Sequence, residues 1–107
     1  RCIIPASGYY EWEHLSAPDS KPKTGDKYAI YPVHRTMTWL CGLYRIEAGL
    51  PHFVVLTREP ADSIRFIHDR MPLILSEDHL FSWLAPTTNP ADILPHAITD
   101  MTFLRIS

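Results

Sequence analysis

Four residues of this chain have side chains whose setting points to chemistry. Glu11 stands in the run Tyr9-Tyr10-Glu11-Trp12, where aromatic neighbours would strip solvent from a carboxylate and suit it to general acid or base work. The same run allows a plainer arrangement, with Glu11 on the solvent face of a strand and the rings turned inward. His68 follows Ala61, Ile64 and Ile67, so it is either a proton-transfer group near neutral pH or a core histidine bonded to a backbone carbonyl. Arg70 would face a phosphate or pair with a surface acid, and Trp12 would stack a nucleobase or fill the core. Spacing alone does not join Glu11 to His68, because most of the chain separates them.

Other chemistries find no support. There is no Gly-rich phosphate loop, no Gly-x-Ser-x-Gly elbow and no His-Glu-x-x-His pair. The histidines at 14, 34, 52, 68, 79 and 96 never fall four apart as a helical metal site requires. Cys2 and Cys41 lack Cys-x-x-Cys spacing and read as buried free thiols. Neither a metal nor a cofactor is expected.

The elements that must position these residues read mostly as strands. Residues 2–12 form a short apolar run, a turn from Pro5 to Gly8 and an aromatic strand carrying Glu11. Residues 13–26 read as a polar surface loop with a turn at Thr24-Gly25-Asp26. Lys27–His34 reads as a strand, with Pro32 at an edge or a bulge. Thr38–Ile46 and His52–Thr57 flank the turn residues Ala48-Gly49-Leu50-Pro51, which predicts an antiparallel hairpin.

Pro60 suits a helix start, and Ala61, Ile64, Ile67 and His68 would share one helical face until Pro72 ends it. A short strand at Leu73–Leu75 comes next. Ser76 should cap a second helix with an apolar stripe of Leu80, Phe81 and Leu84, stopped by Pro86. Thr87–Pro90 reads as a loop, followed by at most a turn of helix and a strand-like tail.

At 107 residues and 46% hydrophobic, the chain fits one domain with a real core. Its net charge of −2 carries no overall signature of a nucleic-acid binder, which leaves only local patches. No apolar run approaches the roughly 20 residues of a membrane span and no leader opens the chain, so a cytoplasmic protein is expected. The first residue is Arg, and an upstream segment is expected. Composition and periodicity end at an α+β domain.

Two longer stretches carry a resemblance. Arg1-Cys2-Ile3-Ile4-Pro5-Ala6-Ser7-Gly8-Tyr9-Tyr10-Glu11-Trp12 resembles the first signature of the SRAP family, the SOS response-associated peptidases or abasic-site processing proteins. Ile67-His68-Asp69-Arg70-Met71-Pro72-Leu73-Ile74-Leu75 resembles its second. With the strands between them, the resemblance covers essentially the whole chain. It implies a mostly antiparallel, barrel-like β-sheet with a few short helices, here without its N-terminal strands: residues 1–107 as a partial SRAP domain.

The resemblance also implies covalent capture of abasic sites in single-stranded DNA by an N-terminal cysteine, with autoproteolytic maturation and strand-cleaving lyase chemistry as further activities. Glu11 and His68 match the catalytic pair, while Trp12, Thr57 and Arg70 match positions beside the pocket or the DNA backbone. Cys2 aligns with the interior cysteine of the first signature and not with the family's nucleophile, which lies upstream with an active-site Asn and several arginines. Around Thr57, Leu56-Thr57-Arg58-Glu59-Pro60 departs from the family's usual Thr-Thr-x-Ala-Asn. The implied partners are abasic single-stranded DNA and an N-terminal segment of the same protein, which is expected to be monomeric. The rival expectation is a catalytically incomplete SRAP-fold module that binds DNA or protein.

Overall fold

A computed structural model describes residues 1–15 and 23–107. Three antiparallel sheets account for most of the regular structure. In chain order the elements are β1 (Cys2–Ala6), β2 (Tyr9–Leu15), β3 (Lys23–Pro32), β4 (Thr38–Glu47), β5 (Leu50–Val55), β6 (Thr57–Arg58), β7 (Met71–Pro72), β8 (Ile74–Leu75), α1 (Leu80–Leu84), α2 (Pro90–Ile93) and β9 (Met101–Arg105). β1, β4 and β5 form one sheet with β8 also on β4; β2, β3 and β9 form the second, and β6 and β7 pair as the third. The expectation of a mostly antiparallel α+β fold holds, but the barrel-like closure does not: the described strands make three separate sheets and no closed barrel.

The first half of β4 organises the interior. Successive side chains point to opposite faces of a strand. Accordingly Leu40 joins a core of Tyr28, Ile30, Ile64, Ile67, Met71, Ile74 and Met101, while Cys41 joins Leu73, Leu75, Trp83 and Ile93. Gly42 stands where β1 and β5 close in on β4; a Cβ there would lie 2.7 Å from the Val54 carbonyl oxygen and 3.1 Å from Cys2 Sγ. Trp83 on α1 seals the second core, donating from Nε1 to the Cys2 carbonyl at 2.9 Å. The Arg1 guanidinium donates to the carbonyls of Trp83, Ala85 and Thr88, satisfying the end of the same helix. Both cysteines are free. Burial, and then the nearby Cys2 thiol, push the Cys41 thiol up to about 12.

Beyond Gly42 the strand leaves the core. β4 and β5 continue as a hairpin whose Leu43, Tyr44, Ile46, Leu50, Phe53 and Val54 are all exposed. Its turn is shorter than the sequence implied: only Ala48 and Gly49 form it, with φ of 50° and 78°, the left-handed pair that matches strand twist, and Leu50 and Pro51 belong to β5.

Three further expectations change. The helix from Pro60 is instead a single 3-10 turn at Asp62–Ile64. The buried residues in and around it, Ala61, Ile64 and Ile67, recur every third position, the period of the tighter helix. The turn expected at Thr24-Gly25-Asp26 lies inside β3, where the pairing register with β2 shifts between Trp12 and His14. Gly25 fits this irregularity because a Cβ there would meet Glu13 Oε1 at 3.0 Å. Asn89-Pro90 opens α2 inside the expected loop, with Asn89 Oδ1 accepting from the Ala91 amide at 3.0 Å. Of the polar loop expected at 13–26, residues 16–22 lie outside the described residues.

Ser76 does cap the following segment by position, though without a side-chain hydrogen bond. That segment begins as a 3-10 turn at Glu77–His79 before α1. The strand expected at Leu73–Leu75 forms at Ile74–Leu75.

Candidate functional site

β2 runs on past Trp12 to Leu15, and its length decides what Glu11 meets. Tyr10 and Trp12 are 66% and 46% exposed, whereas Tyr9 and Glu11 are partly buried, so the rings flanking Glu11 point outward and the carboxylate points in. This reverses the plainer arrangement considered from the sequence. The Tyr9 hydroxyl on the same face is buried without a hydrogen-bond partner among the described residues. Burial, reinforced by the Glu11 carboxylate, raises its pKa and keeps it neutral.

The end of β2 is tied to the second signature. The His14 amide donates to the Ile67 carbonyl at 2.9 Å, which sets the His14 ring against His68 with centroids 3.9 Å apart. As a result a Glu11 carboxylate oxygen and one nitrogen from each of His14 and His68 all lie within 4.8 Å of one another. The two residues that sequence spacing could not join, Glu11 and His68, meet here. His14 completes the cluster and was not among the sequence-derived candidates, since ending the strand at Trp12 placed it in a loop.

His68 is held from one side. Its Nδ1 accepts from the Arg70 amide at 3.0 Å and lies 3.0 Å from Asp69 Oδ1. A ring nitrogen that accepts from an amide has no proton of its own, so in the neutral ring the proton sits on Nε2. The side chain is 24% exposed and opens on a depression of about 220 Å³ lined by His14, Arg65, Phe66, Ile67, His68 and Asp69.

Arg70 and Thr57 come together a short distance along the chain. The Arg70 guanidinium donates to the Thr57 carbonyl at 2.9 Å and to its hydroxyl at 3.3 Å, and among the described residues it pairs with no surface acid. Both residues are exposed. Trp12 lies across β2 from Glu11. Lys27 Nζ sits 4.9 Å from the Tyr10 ring centroid and 5.5 Å from that of Trp12, making a platform of two exposed aromatics and a half-buried cation. Larger depressions lie elsewhere, between the β5–β6 segment and α2 and on the exposed hairpin; the hairpin one holds Tyr44, Arg45, Glu47 and His52, but among the described residues only Glu11, His14 and His68 bring three His or acidic side chains together. Among the described residues no helix is long and apolar enough to cross a membrane.

The chain is thus an α+β protein of antiparallel sheets in which a carboxylate and two imidazoles gather at the end of β2, with an aromatic–cation platform on the strand's other face. The chain belongs to the SOS response associated peptidase (SRAP) family, whose profile it matches over residues 1–107. It is 35% identical to abasic site processing protein YoaM and 32% identical to abasic site processing protein YobE, both of Bacillus subtilis, covering all of this chain and 49% and 51% of those proteins. The fold is similar to a crystal structure of a protein from Bacteroides thetaiotaomicron, with a TM-score of 0.76 at 26% identity, over 99% of this chain and 49% of that one. The chain thus spans about half the length of the relatives it matches.

Proposed function

We propose that this chain carries the proton-transfer part of a site that processes abasic positions in single-stranded DNA. The observation that carries the reading is the convergence of Glu11 and His68, one from each signature, to within 4.8 Å at a surface depression. Ring-opened abasic sugar presents an aldehyde. Condensation with the amine of an N-terminal cysteine requires a proton to leave the amine and another to reach the departing hydroxyl, which leaves as water and gives a Schiff base. The thiol then adds across the C=N bond to close a thiazolidine. Glu11 serves as the acid/base for these transfers, and His68, with its Nε2–H directed away from Asp69 and Arg70, donates to the opened sugar. Thr57 and Arg70 serve the DNA backbone and Trp12 a neighbouring base.

The nucleophile in this reading is a cysteine upstream of the first signature, because Cys2 packs on β1 against Gly42 with its carbonyl bonded to Trp83. Autoproteolytic release of that cysteine, and lyase cleavage of the strand, belong to the same proposal for the full-length protein. The test is adduct formation between that protein and an oligonucleotide bearing one abasic site, resolved on a denaturing gel. Glu11→Gln and His68→Ala should each slow the reaction by about 10²-fold or more. The 107-residue chain alone should form no adduct. A stable adduct mapped to Cys2 by mass spectrometry, or full activity in both variants, would refute the reading.

A second reading, a binding module without chemistry, rests on the platform of exposed Tyr10 and Trp12 with Lys27. It requires single-stranded DNA binding with no adduct under any condition.

A further inference from the structure

We propose that Glu11, His14 and His68 form a binding site for a divalent transition-metal cation of the zinc class. Two imidazoles and one carboxylate are the three-ligand set that holds zinc while leaving a fourth position open, and here the donor atoms already lie within 4.8 Å of one another. Metal–ligand bonds of about 2.1 Å in tetrahedral geometry put donors about 3.4 Å apart, so the cluster needs to contract by about 1.4 Å at most. His14 has an exposed side chain on a backbone pinned by its amide bond to Ile67, and rotation of that side chain supplies most of the movement.

The surroundings of His68 engage its Nδ1 and leave Nε2 as the nitrogen open to a cation. Two groups claim its Nδ1: the Arg70 amide, which needs a lone pair, and Asp69 Oδ1 at 3.0 Å, which needs a proton. The metal-free neutral ring satisfies only Arg70. When a cation takes Nε2, the ring proton moves from Nε2 to Nδ1, so the ring stays neutral and donates to Asp69 in place of accepting from the Arg70 amide. That is the carboxylate–imidazole–metal arrangement that orients ligating histidines. Charge agrees, since Glu11 and Asp69 together offset the two positive charges of the ion. Arg65, which lines the same depression, is turned to Asp62 and the Pro60 carbonyl at 3.1 and 3.2 Å.

The inference stands on this geometry and shares Glu11 and His68 with the proposed function, so bound metal would withdraw both groups from proton transfer. The experiment is isothermal titration of the metal-free protein with ZnCl₂. One equivalent should bind, and His14→Ala and Asp69→Asn should each weaken binding by about 10- to 100-fold. Both replaced side chains are exposed, and thermal melting without metal checks that each variant is folded. The His79–His96 pair, stacked at 4.4 Å, is the competing surface site, and its double alanine variant should bind zinc as the parent does. No zinc uptake, uptake unchanged by His14→Ala, or uptake lost only in the His79→Ala/His96→Ala variant would each overturn the site. The proposed function is judged separately, by adduct formation in the presence of EDTA.

Discussion

Removing the Trp12 ring should weaken single-stranded DNA binding about tenfold and leave its salt dependence unchanged. Trp12 is 46% exposed, and on a side chain of roughly 250 Å² this leaves about 115 Å² open to solvent. A stacked base covers one face, about half of that area, and at about 25 cal/mol per Å² the contact contributes about 1.4 kcal/mol. This corresponds to a factor of about ten in Kd. Lys27→Ala should act differently. Its ammonium lies over the same two rings but carries a charge suited to phosphate, so its loss should lower the slope of log Kd against log salt by about 0.7. Fluorescence anisotropy with a labelled oligonucleotide at several salt concentrations measures both quantities. Tyr44→Ala is the control, since that ring is 55% exposed but lies on the β4–β5 hairpin. Equal losses from Tyr44→Ala and Trp12→Ala, or a changed salt slope for Trp12→Ala, would refute the assignment of the platform to base stacking.

Two further outcomes concern stability and reactivity. Trp83 is 2% exposed and bonds the Cys2 carbonyl, so Trp83→Ala should cost about 3–5 kcal/mol in urea denaturation, whereas Trp83→Phe, which keeps most of the ring but loses that hydrogen bond, should cost about 1–3 kcal/mol. Cys41 is protonated in the folded state up to about pH 12, against an ordinary 9.0. Because the folded state holds this proton more tightly, the associated stability is complete below pH 9 and declines as pH rises toward 12. Iodoacetamide at pH 8.5 should therefore label Cys2 and spare Cys41 until the protein unfolds, as read by mass spectrometry.

The strands and the family were legible in the sequence because their signals are local. Alternation set β3, β4 and β5, and the two signatures carried Glu11 and His68 together. What escaped depended on neighbours distant in the chain. The every-third-residue pattern of Ala61, Ile64 and Ile67 fits a 3-10 turn as well as part of a helical face, and the packing of that turn between sheets decides the matter. His14 had no signal of its own. Its place in the site comes from the register shift beside Gly25 and the bond to Ile67, both of which depend on pairing with other segments. The outward direction of Trp12 likewise follows from which face of β2 meets the core.

The β4–β5 hairpin has a bearing on how this chain behaves at high concentration. Six large apolar side chains stand exposed along it, and β5 has β4 alone as its sheet partner among the described residues. An apolar edge strand with free amides and carbonyls invites a like strand alongside it, and only Pro51 near the turn interrupts that row. Purified by itself, the chain should therefore self-associate through this edge as protein concentration rises. Lysine in place of Phe53 or Val54 is the simplest way to keep it dispersed without touching the cluster around His68.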